Sequence, residues 1–228
     1  MTLGESMRKS YKVGIWIYDG MDILDYAGPA EVLALTAYSR LQQTVLLYRR
    51  VLPKRTPFQV KTISEDGGMI KSHAGTLVQA DYSVSTAPAF DILIVPGGPL
   101  RAVQKLIKSR AAMEYILSSS KQAEVICSVC SGALILAEAG LLDGKKATTH
   151  HLVFSYLSNK KRGIEVIKDK VAVKDGRIMT SGGVSSGIHM SLFLVETLFG
   201  KETALRTAKT IEYNSYHENG NLEVAEEE

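Results

Sequence analysis

The sequence predicts an α/β protein in which one mostly parallel sheet carries helices on both faces. Short apolar runs of strand length alternate along the chain with stretches of helical spacing, and two of these runs pass through small-residue turns straight into helices. Near the carboxyl end, the turn Lys174-Asp175-Gly176 joins two short strands as an antiparallel hairpin. In sheets of this class, functional sites gather at the carboxyl ends of the strands.

The first half of the chain opens with a strand and a helix and then becomes rich in β-forming residues. Pro29 fits the first turn of the helix, because a proline there leaves no N–H unpaired. Glu65-Asp66-Gly67-Gly68 is a turn signal. The predicted elements are strands over 12–18, 44–52 and 58–64, a helix over 28–38 and an extended piece over 70–78.

The second half alternates strands with helices, and Gly140 is placed to end one of these helices. We expect a single domain over residues 12–213, an N-terminal extension over 1–11 and an acidic, mobile tail over 214–228. The predicted elements are strands over 91–95 and 125–128, a hairpin of 170–173 and 177–180, and helices over 102–119, 132–139, 188–199 and 203–213.

The composition is that of an ordinary globular protein. The chain has 228 residues and a mass of 24.9 kDa, with 45% hydrophobic and 22% charged residues, which excludes collagen, intrinsic disorder and coiled coils. A chain of this length can bury a sizeable core without disulfides or structural metals. The apolar runs are too short to cross a bilayer, and residues 1–12 contain no signal-peptide core. We therefore predict a cytoplasmic protein without a membrane partner.

The charge is concentrated at one end of the chain. The formal net charge is +3, but the last eleven residues hold five glutamates and no lysine or arginine. The preceding body therefore has 27 basic and 19 acidic residues. Its basic residues are scattered in short groups, so the pattern argues against nucleic acid as a partner.

The segment over residues 125–133 is the most informative part of the sequence. A strand passes directly into a helix at Cys130, which small residues flank, as in the sharp turn that presents the nucleophile of hydrolases. Free N–H groups and the helix dipole at that point favour a thiolate, so we expect a lowered pKa for Cys130. Ser128 stands where the hydrolase pattern has glycine, which leaves open the alternative of a buried, inert cysteine at a tight turn.

Cys127 and Cys130 together form Cys-x-x-Cys, a spacing found in redox pairs and in halves of metal sites. The chain has no second Cys-x-x-Cys and no His-x-x-x-His, so we expect no metal. In the predicted strand, Cys127 belongs to the sheet interior and Cys130 to its end, which separates their side chains. We expect two reduced thiols and an inert Cys127, with redox pairing as the alternative.

Asp25 supplies an acid just beyond the first strand. It precedes Gly28-Pro29 at the predicted helix start, where an acid commonly caps the helix and complements its dipole. The other interpretation places its carboxyl near Cys130 across neighbouring strands, where burial and a nearby thiolate raise its pKa and keep it protonated. The carboxyl can then act as a general acid and afterwards as a base.

Two glycine-containing loops and a histidine complete the candidate site, although each is also typical of a plain turn or helix start. The loop with Gly97 and Gly98 follows a strand and lets backbone approach a ligand. The N–H groups of Gly98 and Ser131 are candidates for an oxyanion cradle. The other candidates are Gly182 and Gly183, which line a further wall, and His150, which can orient a thiolate or share its proton.

Together these segments resemble the DJ-1/PfpI superfamily over residues 12–213. The resemblance implies a flavodoxin-like sandwich with a reactive cysteine at a strand-to-helix elbow. Within the superfamily, Asp-Tyr-Ala-Gly-Pro-Ala-Glu-Val-Leu at 25–33 is most similar to the branch with isonitrile hydratases and the amidotransferase-like sensor domains of AraC-type regulators. The other matching motifs are Asp-Ile-Leu-Ile-Val-Pro-Gly-Gly (91–98), Cys-Ser-Val-Cys-Ser-Gly-Ala (127–133), Ala-Glu-Ala-Gly-Leu-Leu-Asp-Gly (137–144), Ala-Thr-Thr-His (147–150) and Thr-Ser-Gly-Gly (180–183).

The resemblance implies that Cys130 is the nucleophile and Asp25 the acid–base residue, with Ser131 and the loops at Gly98 and Gly183 shaping the pocket. It implies hydration of a small isonitrile to an N-formamide, no cofactor, and a homodimer. Protease-type members carry histidine where this chain has Ser131, so peptidase activity is not expected. The hydratases usually have threonine there. The chain is too short beyond the domain for the helix-turn-helix units of the regulators, so DNA binding is not expected.

Two alternatives to a hydratase or lyase stay open at the level of sequence. In the first, the protein is a sensing or protective module in which Cys130 is oxidised, or binds a metabolite, without turnover. In the second, the same thiolate acts on reactive carbonyls, as in a glyoxalase or deglycase, and only the shape of the pocket differs.

Overall fold

The structure is a computed structural model that describes residues 9–48, 55–160, 162–217 and 222–224. The strands are β1 (Tyr11–Trp16), β2 (Phe58–Ser64), β3 (Met69–Lys71), β4 (Leu77–Gln79), β5 (Tyr82–Ser83), β6 (Ile92–Val95), β7 (Val125–Val129), β8 (Lys146–Ala147), β9 (Glu165–Val166), β10 (Ala172–Asp175), β11 (Ile178–Ser181) and β12 (Leu222–Val224). The α-helices are α1 (Ile23–Ala34), α2 (Arg40–Tyr48), α3 (Leu100–Lys108), α4 (Arg110–Gln122), α5 (Gly132–Glu138), α6 (Phe154–Ser158), α7 (Ser186–Phe199) and α8 (Lys201–Thr210). Short 3₁₀ helices cover His151–Val153 and Asn214–His217.

The central sheet has eight strands in the order β12-β10-β11-β7-β6-β1-β2-β5. All neighbouring pairs are parallel except β10 and β11, which form the predicted antiparallel hairpin. The run β2-β1-β6-β7-β11 has the flavodoxin-like order, in which the connection reverses direction between the first and third strands in chain order. The structure therefore confirms the predicted α/β class with a mostly parallel sheet.

The sheet is covered by two groups of helices. α7 packs against both α1 and α8, while α3 packs against both α4 and α5. The central strands are buried, with Ile15, Ile92 and Ile126 fully inaccessible. Such continuous apolar strands are expected where helices cover both faces of a parallel sheet. None of the described helices is both long and apolar enough to cross a membrane.

The first helix begins earlier than predicted. The expected range was 28–38, but α1 covers Ile23–Ala34, with Asp22 at the N-cap position and Pro29 inside the helix. Asp25 therefore lies in the first turn of α1 and is not a residue preceding the helix. This shift turns the Asp25 side chain toward the ends of the neighbouring strands.

The predicted strand over 44–52 is wrong for its described part, because residues 40–48 form α2. Ser39 Oγ accepts the Gln42 N–H at 3.2 Å, and the Gln42 side chain accepts the Tyr38 N–H at 2.7 Å. These two contacts resemble a capping box, which favours a helix over the β-propensity of the residues that follow. Residues 49–54 lie outside the described part of the chain.

Two other predicted elements are divided. The extended piece over 70–78 is a separate hairpin of β3 and β4, which pair antiparallel. The helix over 102–119 is interrupted at Ser109, whose extended backbone ends α3 and whose Oγ caps α4 by accepting the Ala112 N–H at 3.2 Å.

Part of the C-terminal segment joins the sheet. Leu222–Val224 forms β12, which pairs in parallel with β10 at the sheet edge. Residues 218–221 and 225–228 of the expected tail, and 1–8 of the expected extension, lie outside the described residues.

The turns that follow β6 and β7 lie in close backbone contact. A Cβ built on Gly132, at the start of α5, lies only 2.2 Å from the Val95 carbonyl oxygen and 3.0 Å from the Pro96 backbone. A Cβ built on Gly97 lies 2.6 Å from the Ser131 nitrogen. Only glycine allows these two turns to touch.

We predict that Gly132→Ala destabilises the fold by about 2–4 kcal/mol, because backbone atoms must move to admit the methyl group. Urea unfolding measures the change. Gly68→Ala is the matched control, since the atoms nearest to a Cβ there belong to the Asp66 side chain, at 3.1 Å, and not to the backbone. Equal stability of the two variants would contradict the proposed packing constraint.

Candidate active site

Cys130 lies at a sharp turn between β7 and α5. It has φ +58°, a left-handed conformation that residues with a side chain seldom adopt. Its N–H faces the Ser181 and Gly182 carbonyl oxygens at 3.2 and 2.9 Å, and its own carbonyl accepts the Thr149 hydroxyl at 2.7 Å. These contacts fix the strained turn from both sides, as in a nucleophile elbow. The side chain is 5% exposed.

Asp25 reaches the same place from the first turn of α1, and its side chain is fully buried. One carboxyl oxygen accepts the Gly97 N–H at 3.1 Å, and the other accepts the Val184 N–H at 3.1 Å. Val184 itself has φ +50°, which is strained for a β-branched residue. The strained turn points its N–H at Asp25, so backbone donors from two loops orient the carboxyl.

The structure brings the two main candidates together. One oxygen of Asp25, one oxygen of Asp22 and the Cys130 sulfur all lie within 4.8 Å of one another. A side-chain hydrogen bond joins Asp25 to Cys130, and the two residues are hereafter called the Cys–Asp pair. A cation bound between these three side chains would contact the two carboxyl oxygens and the sulfur.

Burial controls the protonation of the Cys–Asp pair. Burial first, and then the nearby Asp22 charge, raises the pKa of Asp25 to about 7 against the hydrogen bonds that favour its carboxylate. Burial, followed by the charge of Asp25, raises the pKa of Cys130 to about 12, although the Ser131 N–H opposes this shift. The predicted lowering of the Cys130 pKa is therefore wrong. At neutral pH the sulfur therefore keeps its proton, while Asp25 is divided between its acid and carboxylate forms, and the carboxylate form can accept the thiol proton.

The turn after β6 uses its N–H groups internally. The Gly97 N–H donates to Asp25, and the Gly98 N–H donates to Ser131 Oγ at 2.9 Å. The Ser131 hydroxyl donates in turn to the Gly98 carbonyl at 2.6 Å. The expected cradle of Gly98 and Ser131 N–H groups is therefore not formed, because only the Ser131 N–H faces the Cys130 sulfur.

The remaining candidates form a wall beside the Cys–Asp pair. The Gly182 carbonyl holds the Cys130 backbone, and Gly183 lies directly against the His150 ring, which a Cβ on Gly183 would meet at 2.1 Å. His150 Nδ1 accepts the Leu152 N–H at 3.2 Å, and the ring stacks on His151 with a centroid distance of 4.4 Å. Burial lowers the pKa of His150. Within the described contacts His150 lines the site without a hydrogen bond to the Cys–Asp pair.

Cys127 has no direct part in this site. It is fully enclosed within β7, where burial raises its pKa to about 12, and both cysteines are free. A buried thiol of this kind behaves as a small apolar side chain.

Sequence reasoning missed three groups of the site. Asp22 stands one helical turn before Asp25, and this spacing was a signal that could have found it. The contacts of the Val184 N–H and the Thr149 hydroxyl depend on loop conformation, and no sequence pattern indicates them.

The fold and the elbow define an α/β protein of the nucleophile-elbow class with a buried cysteine and aspartate. The chain belongs to the DJ-1/PfpI family, whose model matches residues 11–197. The predicted family and flavodoxin-like fold are confirmed.

Similar proteins include an enzyme and a regulator. Isonitrile hydratase of Pseudomonas putida is 32% identical over 202 residues, which cover 89% of this chain and 78% of the relative. The HTH-type transcriptional regulator CdhR of Pseudomonas aeruginosa is 28% identical over 149 residues, or 64% of this chain and 43% of the regulator. This chain therefore matches less than half of that regulator.

Among solved structures, the crystal structure of a ThiJ/PfpI family protein from Pseudomonas syringae superposes with a TM-score of 0.77 at 22% identity. The match covers 94% of this chain and 81% of the other chain. This match supports the assignment of the flavodoxin-like fold.

We predict that Asp25 makes stability fall as the pH rises toward neutrality. Its pKa is 3.8 in an ordinary carboxyl and about 7 in the folded protein. Between these values the folded state holds more protons than the unfolded state, so the free energy of unfolding decreases by up to about 1.4 kcal/mol per pH unit from this group.

Asp25→Asn should remove that pH dependence, because the amide does not titrate. Any change that the substitution itself makes to the free energy of unfolding is the same at every pH. Urea unfolding of both proteins from pH 4 to 8 measures the difference between them. Parallel pH profiles for wild type and variant would show that Asp25 keeps an ordinary pKa.

Proposed function

We propose that the protein is a cysteine-dependent hydratase that converts a small isonitrile and water to an N-formamide. The observation that carries the proposal is the Cys–Asp pair, in which a buried thiol faces a carboxyl whose pKa is about 7. The similarity to isonitrile hydratase over most of both chains supports the substrate class.

The first step adds the thiol to the terminal carbon of R–N≡C. The Asp25 carboxylate takes the thiol proton while the Cys130 sulfur forms a bond to that carbon. The carbon then bears an electron pair, and protonated Asp25 returns the same proton to it. The product is a thioimidate, R–N=CH–S, on Cys130. Because sulfur and proton go to one atom, a single acid–base group beside the sulfur is sufficient.

The second step releases the product. Asp25 takes a proton from water as the water oxygen bonds to the carbon of C=N, and Asp25 then passes that proton to the nitrogen, giving R–NH–CH(OH)–S on Cys130. Asp25 next takes the hydroxyl proton as a C=O bond forms and the C–S bond breaks with its electrons on sulfur. Asp25 returns a proton to the sulfur and the N-formamide leaves.

The hydrogen bonds of the site favour this reaction over attack on a carbonyl. A glyoxalase or deglycase must stabilise an alkoxide, which requires donors aimed at the developing charge. The Gly97 and Gly98 N–H groups already donate within the protein. Addition of the thiol to the isonitrile places the electron pair on carbon, beside the acid, and makes no oxyanion. In the release step, Asp25 takes the hydroxyl proton as the C=O bond forms.

The same geometry disfavours a redox sensor. Oxidation by peroxide requires a thiolate and an accessible sulfur. Burial raises the pKa of Cys130 to about 12, and the side chain is 5% exposed. The Cys130 thiol is ionised only when Asp25 removes its proton. Such a thiol is suited to a reaction in which the sulfur attacks the substrate carbon as the proton moves to Asp25.

We predict that Cys130→Ala abolishes formamide production from a simple alkyl isonitrile. We expect Asp25→Asn to lower kcat by about 10²–10⁴-fold, because the amide cannot take the thiol proton. In wild type, kcat/KM should rise with pH through about 7, where Asp25 becomes a carboxylate. Infrared or chromatographic detection of the formamide measures the rate.

Cys127→Ala and Asp143→Asn are the matched controls, since Cys127 is enclosed in β7 and Asp143 pairs with Arg162 away from the site. Both should retain turnover. Undiminished turnover in Cys130→Ala or Asp25→Asn would overturn the mechanism.

We further propose that the protein acts in the cytoplasm as a homodimer. Two free cysteines are suited to a reducing compartment. Leu152 and Tyr156 are 72% and 51% exposed, and Val184, which follows the Gly183 that lies against the His150 ring, is 43% exposed. Exposed apolar side chains near a site can mark a protein contact.

We predict a solution mass of twice the chain mass of 24.9 kDa, which analytical ultracentrifugation at micromolar concentration measures. Leu152→Lys should weaken the assembly, and Leu41→Lys, on α2, is the control. A single-chain mass for wild type would contradict the dimer.

A further inference from the structure

Asp22 is the acidic group beside the Cys–Asp pair that the mechanism does not use. It occupies the N-cap position of α1, where a carboxylate ordinarily accepts a helix N–H, but its side chain makes no capping hydrogen bond. No hydrogen bond or ion pair links its carboxylate to another of the described residues. Its backbone N–H donates to the Gly97 carbonyl at 3.0 Å, which fixes Asp22 in place.

This position carries an electrostatic cost. One Asp22 oxygen lies within 4.8 Å of both an Asp25 oxygen and the Cys130 sulfur. Its charge opposes ionisation of both groups. Asp22 is only half-buried, whereas Asp25 is fully buried, so Asp22 is the carboxylate that an approaching molecule meets first.

The other titratable groups near the pair do not offset this charge. Tyr18 is buried and directs its hydroxyl to the Pro96 carbonyl at 3.3 Å. His150 is partly buried, and burial favours its neutral form. The main charges that act on the Cys130 sulfur are those of Asp25 and Asp22, and both are acidic.

We propose that Asp22 is a specificity-determining residue that excludes anionic molecules from Cys130 and admits neutral and cationic ones. The inference rests on the proposed function, in which Cys130 attacks the substrate, and it narrows the substrate class to small isonitriles without a carboxylate or phosphate near the reacting carbon. In a partly buried site, Asp22 lowers the local concentration of a ligand with one negative charge by about tenfold when that charge is several ångströms away, and it raises that of a cationic ligand similarly. The effect weakens as salt is added.

The first experiment measures access to the sulfur and does not depend on turnover. In the Cys127→Ala background, Cys130 is treated with three methanethiosulfonates: the neutral methyl, the cationic trimethylammonioethyl and the anionic sulfonatoethyl compound. The sulfur forms a disulfide with the sulfenyl group of the reagent, and methanesulfinate leaves with the bonding electrons. Mass spectrometry gives the rate with each reagent, and each rate is divided by that of free cysteine.

We expect the normalised ratio of cationic to anionic rates to exceed one in the parent protein and to fall about tenfold in Asp22→Asn. Asparagine is also a good N-cap residue, so α1 should be preserved. Asp22→Ser is a second neutral replacement with the same property. Glu31→Gln, exposed on α1, removes an equal charge elsewhere on that helix and should leave the ratio unchanged.

The second experiment compares isonitriles that carry an ammonium, a methyl or a carboxylate group at the same distance from the reacting carbon. The ammonium compound should have the higher kcat/KM, mainly through a lower KM, and Asp22→Asn should reduce the difference. Equal thiosulfonate ratios in the parent, Asp22→Asn and Asp22→Ser would overturn the role of Asp22. A changed ratio without turnover of any isonitrile would support charge selection and refute the proposed reaction.

Discussion

The site depends on the burial of one carboxyl beside one thiol with a single proton available to them. In water the Asp25 carboxyl would be ionised and Cys130 would titrate independently of it. Enclosed together, the charge of Asp25 opposes ionisation of Cys130, the hydrogen bond from Cys130 favours the Asp25 carboxylate, and burial penalises both charges. Backbone N–H groups from Gly97 and Val184 keep the carboxylate form accessible near neutrality. The chemistry follows from that balance.

The parallel sheet explains how such a pair can form from distant parts of the chain. β1, β6 and β7 are neighbours that point the same way, so the connections that follow them meet at one edge. Asp25 comes from the connection after β1, Gly97 from that after β6, and Cys130 from that after β7. The strand order reverses at β1, because β2 is added on one side of β1 and β6 on the other. The crevice formed at such a point is where open α/β sheets bind their ligands.

Much of this arrangement could be predicted from sequence. The strand-to-helix passage at Cys130 and the alternation of elements predicted the class of fold and the elbow. The position of Asp25 after the first strand predicted its proximity to the sulfur, because parallel strands end at a common edge. These inferences depend on local pattern and chain direction, which the sequence contains.

The protonation of Cys130, the Val184 hydrogen bond and helix α2 could not be predicted, because they depend on tertiary burial and loop conformation. The dipole and N–H groups at the start of α5 favour a thiolate, but the enclosure of Cys130 by β7, β11 and the loop at Gly98 outweighs them. Val184 is an ordinary loop residue in the sequence, and only its left-handed backbone makes it a donor to Asp25. Similarly, α2 replaces a predicted strand because the Ser39 and Gln42 caps decide its start.

The direction of the Cys130 shift changes the order of the chemical steps. With a resting thiolate and a protonated carboxyl, Asp25 would act first as an acid. With the proton on sulfur, Asp25 acts first as a base and becomes an acid only after the S–C bond has begun to form. The nucleophile is then generated where a substrate is already in place, and the same proton moves on to the carbon. A thiol of this kind reacts more slowly with adventitious electrophiles and oxidants than a resting thiolate does, because it must first give its proton to Asp25.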